Sequence, residues 1–241
     1  MQGQTRTSAA HGTGANGGFC RPREIAGLRE AIGRKWPEAL HSLTPASLAE
    51  RQGLVFETGF PSLDALFPLR GIPYGQLIEI TGGGSSGKTS FLFRLLAAWS
   101  RERTVAYVDF GNSFFPDSAA CAGIDLSRLL VVRPEPKADD PVKPGIRTGE
   151  LLLGKKNSDI IVFDLADRRT PLPIGLLHRL RLKTVRARGM VIFLTRRNTG
   201  IVPSSMASLR LEISRRDRDR LEIAVTKSRL SAEGARVEVA L

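Results

Sequence analysis

The sequence predicts an α/β fold, in which a mostly parallel sheet is flanked by helices and is followed by C-terminal antiparallel strands. In the middle of the chain, short apolar runs alternate with helical segments, which is the pattern of βαβ units. After Ser205, apolar and polar residues alternate one by one, as in an antiparallel sheet with one solvated face. The 241 residues leave room for one sizeable domain and a small appendage.

The N-terminal part of the chain predicts no strand. Residues 1–20 are rich in Gly, Ser, Thr and Ala without periodicity and predict a disordered tail. Residues 21–54 predict a helical appendage, because apolar residues recur there at steps of three and four. Such a stripe is usually core packing, and a helix that docks on a partner is the alternative. Its members are Ile25, Leu28, Ile32 and Trp36.

The core is expected to span residues 55–241. Five strands are expected first, at residues 76–81, 104–109, 129–132, 159–164 and 190–195. Helices are expected at 90–101 and at 174–188, the second of which is basic and would be capped by Gly189. Residues 134–144 hold four prolines and predict a surface connection. A hairpin of residues 209–213 and 221–225 and a last strand at 237–241 complete the expected fold.

One segment fits the phosphate-loop pattern G-x-x-x-x-G-K-[ST] without exception, and it lies between a predicted strand and a predicted helix. Glycines let the backbone N–H groups turn towards phosphate oxygens, and the following helix adds its positive end. Lys88 would reach the β- and γ-phosphates, and the Thr89 hydroxyl would hold Mg²⁺. The predicted nucleotide-binding residues are Gly82, Gly83, Gly84, Ser85, Ser86, Gly87, Lys88, Thr89 and Ser90.

A carboxylate at the end of a neighbouring strand normally completes such a site. Asp164 closes an apolar strand and would act on Mg²⁺ through a water molecule. The alternative is an aspartate that only shapes the turn after its strand.

The formal net charge of +12 favours an anionic partner, with a solubilising surface as the alternative. The candidate residues for binding DNA or a partner are Arg168, Arg169, Arg179, Lys183, Arg186, Arg196 and Arg197. A nucleic-acid backbone, an acidic protein and no partner all stay open, although the few aromatic residues disfavour tight single-strand recognition. The two cysteines fit no metal spacing, and no apolar signal core or spanning run is found, which favours the cytosol.

Residues 58–64 and 71–76, followed by the phosphate loop, resemble the opening of the bacterial RecA recombinase core. The resemblance extends over roughly residues 55–241 and implies a RecA-like α/β core, with ATP and Mg²⁺ as possible ligands. Several family positions are changed. This chain has Gly111 at the position of the family's glutamate that polarises the attacking water. It has Ser118 in place of the adenine-stacking tyrosine and Arg196 in place of the glutamine that senses the γ-phosphate. Because in-line attack needs an oriented water, the resemblance implies weak or absent ATPase activity, with Asp109 or Asp167 as imperfect substitutes for the base.

A RecA-like core without the recombination machinery is similar to the ImuA family of accessory proteins in SOS-induced translesion synthesis. This likeness implies an adaptor in DNA-damage mutagenesis that is cytoplasmic and associates with the nucleoid when active. The implied partners are an ImuB-like relative of the Y-family polymerases, an error-prone polymerase and RecA. Two other functions remain open: a small DNA-stimulated ATPase of the recombinase-paralogue type, and a regulator gated by nucleotide.

Overall fold

A twisted sheet organises the part of the chain that the computed structural model describes, residues 55–134, 142–154, 157–166, 171–230 and 233–241. These described residues form eight strands of one sheet and a separate two-stranded antiparallel sheet, β1 (Val55–Phe56) with β2 (Ile72–Pro73). The sheet contains β3 (Gln76–Gly82), β4 (Val105–Asp109), β5 (Leu129–Val132), β6 (Ile160–Asp164), β7 (Met190–Arg196), β8 (Leu209–Arg215), β9 (Arg220–Ser228) and β10 (Arg236–Ala240).

The strand order is β10-β9-β8-β3-β7-β6-β4-β5. Every pair from β8 to β5 is parallel, whereas β8–β9 and β9–β10 are antiparallel. The α/β architecture with a mostly parallel sheet and C-terminal antiparallel strands is therefore confirmed. Among the described residues, the helices are α1 (Pro61–Asp64), α2 (Lys88–Trp99), α3 (Pro116–Cys121), α4 (Val142–Gly154) and α5 (Ile174–Ala187).

Helices cover both faces of the parallel part of the sheet. On one face, α2 packs its Phe91, Leu92 and Leu95 against strand residues such as Ile78. On the other face, α4 and α5 pack against a second apolar cluster that includes Leu77. The central strands are mostly apolar on both faces because alternate side chains enter different clusters.

The structure moves several of the expected boundaries. Helix α2 spans Lys88–Trp99 and not residues 90–101, so it starts directly at the phosphate loop. Helix α4 was not expected, and its first turn takes up residues 142–144 of the expected surface connection. The proline in that turn is tolerated because the first N–H groups of a helix have no partner within the helix.

The expectation that Gly189 caps α5 is wrong. Arg188 takes the left-handed conformation at the helix end, with φ of 53°. Gly189 instead allows a close approach of two chain segments, because a Cβ atom there would lie 2.6 Å from the carbonyl oxygen of Asp159. The Gly189 N–H still donates to the Thr184 carbonyl oxygen at 3.1 Å, but the absence of a side chain at this position serves the packing.

Some predictions fall outside the described residues. These are the tail at 1–20, the appendage at 21–54 with its stripe of Ile25, Leu28, Ile32 and Trp36, and the candidates Asp167, Arg168 and Arg169. None of the helices that the described residues form has the length and apolar character that a bilayer crossing requires.

Candidate nucleotide-binding site

The phosphate loop, residues 82–89, connects the C-terminal end of β3 to the N-terminal end of α2. Two of its residues have positive φ, Ser85 at 54° and Gly87 at 83°. Gly87 is also the N-cap of α2, and no side chain caps the helix there. The first N–H groups of α2 therefore point out of the helix without a capping side chain, which is the arrangement that binds anions.

The glycines of the loop fall into two classes. A Cβ atom on Gly82 would lie 2.4 Å from Ser86 Oγ, and one on Gly87 would lie 2.6 Å from Leu221 Cδ2, so the chain itself excludes side chains at both positions. Cβ atoms on Gly83 and Gly84 would meet nothing within 4 Å. The space beside these two glycines is open, as it must be if a ligand approaches the backbone closely.

Two polar side chains support the same interpretation. The Ser86 hydroxyl is buried and has no hydrogen-bond partner among the described residues, which is unusual for a buried polar atom. Lys88 folds back over the loop, and its Nζ donates to the carbonyl oxygen of Gly83 at 3.1 Å. The residues present therefore fit a triphosphate: open backbone, an orphaned hydroxyl and an ammonium group over the loop.

Asp164 ends β6 at the same edge of the sheet as the loop. In the strand register, Asp164 pairs with Leu194 and Thr81 pairs with Thr195. The ends of β3 and β6 are thus level and two strand spacings apart, about 10 Å. This is the edge at which the sequence places the carboxylate.

The carboxylate of Asp164 is already hydrogen-bonded within the protein. Its Oδ2 accepts from Tyr107 Oη at 2.7 Å and from Ser113 Oγ at 3.1 Å, and its Oδ1 accepts from the Ala166 N–H at 3.2 Å. Burial raises the pKa of Asp164 above its ordinary value, against the lowering effect of these hydrogen bonds. Burial and the neighbouring Asp164 carboxylate also raise the pKa of Tyr107.

Gly111 has no side chain that could act as a base, and Asp109 is poorly placed to take that role. Its buried carboxylate accepts from the backbone N–H groups of Ser113 and Phe114, each at 3.0 Å, and lies 3.4 Å from Arg133 Nε. These contacts hold the turn after β4 in place. Asp109 is therefore a structural residue of that turn.

Two arginines attach neighbouring segments to the phosphate loop. The Arg197 N–H donates to the carbonyl oxygen of Gly82 at 3.1 Å, just beyond the end of β7. Arg215, at the end of β8, donates from Nε to the carbonyl oxygen of Ser85 at 3.3 Å. The side chain of Arg197 forms an ion pair with Glu212, and both candidates, Arg196 and Arg197, are exposed.

The basic helix does not present one uniform charged face. Arg179 makes two hydrogen bonds to Glu150 on α4, from Nη2 at 2.6 Å and from Nε at 3.3 Å. Lys183 Nζ donates to the Glu150 carbonyl oxygen at 3.4 Å. These contacts direct both side chains towards α4, although Arg179, like Arg186, remains exposed.

The partners of Asp164 and the loop contact of Arg215 were missed from the sequence. Tyr107 carried a usable signal, because a tyrosine within an otherwise apolar buried strand must find a hydrogen-bond acceptor. Nothing in the spacing of the sequence indicates Ser113 or Arg215.

Comparison with known proteins adds independent information. The family model of the RecA N-terminal domain matches residues 41–171, which include the phosphate loop and Asp164. The chain is similar to Protein RecA of Marinobacter nauticus, with 31% identity over 115 residues, 47% of this chain and 32% of that protein. It is also similar to Protein RecA of Pseudarthrobacter chlorophenolicus, with 34% identity over 111 residues, 46% of this chain and 30% of that protein. The matches thus cover less than a third of each relative.

Proposed function

This chain belongs to the RecA N-terminal domain family, and from that premise we propose that it is a RecA-like accessory protein that binds ATP but hydrolyses it slowly or not at all. One observation carries the proposal. The phosphate loop keeps its open backbone, Lys88 and the orphaned Ser86 hydroxyl, while the turn after β4 has Gly111 at the position of the family's base and uses Asp109 for its own hydrogen bonds.

Each residue has a defined part in binding. The N–H groups of residues 83–89 surround the phosphates, and the Lys88 ammonium neutralises their charge. The Thr89 hydroxyl and, through water, Asp164 would hold Mg²⁺, which would supply positive charge that neutralises the phosphates. Tyr107 and Ser113 hold the Asp164 carboxylate in one orientation. No side chain in this set orients a water for attack on the γ-phosphate.

The biological role that we propose is that of an ImuA-like adaptor in SOS-induced translesion synthesis. Its partners would be an ImuB-like relative of the Y-family polymerases, an error-prone polymerase and RecA, with DNA contacted through its backbone. The net charge of +12 supports an anionic or acidic partner. A core that has the phosphate loop but lacks a general base suits a protein that signals by binding ATP and not by hydrolysing it.

The experiment is titration of ATP and Mg²⁺ by calorimetry, on the chain itself and on Lys88→Ala. We expect binding that Lys88→Ala abolishes and that Lys143→Ala, the same change on α4 across the sheet, leaves intact. No binding to the unmodified chain would overturn the nucleotide site.

Phosphate release, with and without single-stranded DNA, separates the adaptor from a DNA-stimulated ATPase. We expect no turnover above that of Lys88→Ala in either condition. Steady turnover that DNA stimulates and that Lys88→Ala abolishes would favour the enzyme.

A further inference from the structure

The exposed flank of α5 carries an apolar stripe, although the helix is basic in sequence. Ile174, Leu182 and Val185 are 58%, 52% and 55% exposed, and His178 between them is also exposed. The four residues follow one another at steps of four, four and three, so they lie along one side of the helix. The stripe extends over three turns, about 16 Å.

The contacts of α5 show which side this is. Leu177, Leu180 and Thr184 are fully buried against the sheet. Arg179 and Lys183 reach α4 through Glu150. At 3.6 residues per turn, the stripe lies roughly a third of a turn away from these two basic residues, on the flank that does not face α4.

Positive charge surrounds the stripe. Helix α5 contains no acidic residue, and Arg186 adjoins the stripe on its outer side. On its other side, Arg181 belongs to a group of cations around Lys227. Burial first, then the nearby Arg229 and Arg210 and, more weakly, Arg181 lower the pKa of Lys227 below its ordinary value, and Glu233 opposes them in part. The apolar stripe therefore lies between cations that lack acidic neighbours on the same helix.

We propose that this flank of α5 is a docking surface for an acidic amphipathic helix of another protein. A helix of three or more turns matches the length of the stripe, and its apolar face would cover Ile174, Leu182 and Val185. Its carboxylates would face Arg181 and Arg186, which gives the complementary charge that selects and orients a partner. A nucleic-acid backbone would meet the cations but would leave the aliphatic side chains uncovered.

The surface is separate from the phosphate loop, which lies at the C-terminal edge of the sheet and leads into α2 on the opposite face. The inference therefore goes beyond the nucleotide site and makes the acidic-partner alternative specific. If the chain did not bind ATP, the docking surface on α5 would be unaffected. If the peptide did not bind, the proposed nucleotide site would be unaffected.

The test uses a fluorescent synthetic peptide of about 18 residues, with leucines at positions i, i+4, i+7 and i+11 and glutamates on its other faces. A second peptide has the same composition in an order that scatters the leucines. Binding of each to the full chain is measured by fluorescence anisotropy. We expect the patterned peptide to bind at least about tenfold more tightly than the scattered one.

Variants locate the binding. Leu182→Asp is expected to weaken the patterned peptide about tenfold or more, because it places a like charge and a polar group in the stripe. Leu126→Asp, the same change at a 43% exposed leucine beside β5, is the matched control and should leave affinity unchanged. Arg186→Glu should weaken binding and reduce its dependence on salt, whereas Arg101→Glu, at an exposed residue that follows α2, should not.

Three outcomes would overturn the proposal. The first is equal binding of the two peptides, and the second is equal loss for Leu182→Asp and Leu126→Asp. The third is that vesicles of phosphatidylserine and phosphatidylcholine, or a short single-stranded oligonucleotide, bind more tightly than the peptide and lose that binding in Leu182→Asp. In that case the flank serves a membrane or a nucleic acid. Melting curves of the exposed-site variants confirm that each is folded.

Discussion

Tyr107 and Asp164, on adjacent strands, are joined by a buried hydrogen bond of 2.7 Å from the phenol to the carboxylate. Ser113 donates to the same oxygen at 3.1 Å. A carboxylate that holds metal-bound water must offer an oxygen to that water, and here the protein's own hydroxyls already use one oxygen twice. If Asp164 holds such a water, as we propose, these hydrogen bonds should make it a weaker acceptor for Mg²⁺-bound water than a carboxylate without partners.

Removing the two hydroxyls should therefore strengthen Mg²⁺-dependent ATP binding. In Tyr107→Phe combined with Ser113→Ala, we expect the Mg²⁺ concentration for half-maximal ATP binding to fall about threefold to tenfold, the equivalent of about one hydrogen bond. Tyr74→Phe, which removes a phenol that accepts from Arg103, is the control. An unchanged requirement in the double variant would show that the hydroxyls do not compete with the metal.

Asp164→Asn should change how stability depends on pH in the metal-free protein. Because burial raises the pKa of Asp164 above 3.8, the folded state binds more protons than the unfolded state between the two pKa values. Stability contributed by this group is therefore lost as pH rises through that window. Urea unfolding at a series of pH values should show a flatter profile for Asp164→Asn and stability at neutral pH at least equal to that of the unmodified chain.

The control for this experiment is Asp125, whose pKa is shifted in the opposite direction from that of Asp164. The hydrogen bonds from Ser127 lower the pKa of Asp125 below 3.8, so its contribution is present at neutral pH and is lost as pH falls through the folded pKa. Asp125→Asn should therefore lose stability at neutral pH. Shifts of the same sign in the two variants would contradict one of the two assignments, and the sign would show which.

Gly84→Ala should separate folding from binding. A Cβ atom there meets nothing within 4 Å, so we expect an unchanged melting temperature. The same methyl group would occupy space next to the phosphates, and ATP affinity should fall about tenfold or more. Gly175→Ala, whose Cβ is equally unobstructed on α5, should leave ATP affinity unchanged and stabilise the helix by about 0.5–1 kcal/mol. Full ATP affinity in Gly84→Ala would place the ligand elsewhere.

Nucleic-acid binding, if the basic residues provide it, should depend on Arg196 more than on Arg179. Arg196 is exposed at the end of β7, whereas Arg179 is paired with Glu150. For single-stranded DNA, Arg196→Ala should weaken binding and reduce the slope of log K against log salt by about 0.7, the value for one phosphate contact. Arg179→Ala should leave the slope nearly unchanged. Fluorescence anisotropy over a salt series measures both.

The sequence predicts the central sheet well for a physical reason. Strands such as Ile160–Asp164 are buried on both faces, so their residues are apolar up to the closing Asp164, and the strand can be recognised without knowledge of its neighbours. The phosphate loop is equally visible, because its glycines and Lys88 are close in sequence. Helix α4 could not be recognised from the sequence because prolines lie before it and in its first turn, although a proline in the first turn is compatible with a helix.

Relationships across the fold could not be predicted in this way. The bond from Tyr107 to Asp164 joins residues 57 positions apart and depends on the register of β4 against β6. The pairing of Arg179 with Glu150 depends on how two helices lie side by side, so the spacing of basic residues on α5 alone suggested a more uniform charged face than the structure has. Residue types identify candidates, but tertiary contacts decide which are available.

Two hydrogen bonds on the outside of the phosphate loop join it to exposed parts of the chain. The backbone N–H of Arg197 donates to the carbonyl oxygen of Gly82, and the guanidinium of Arg215 donates to that of Ser85. Because both are joined to the loop by hydrogen bonds, any displacement of the loop would be transmitted to the segment after β7 and to the tip of the β8–β9 hairpin.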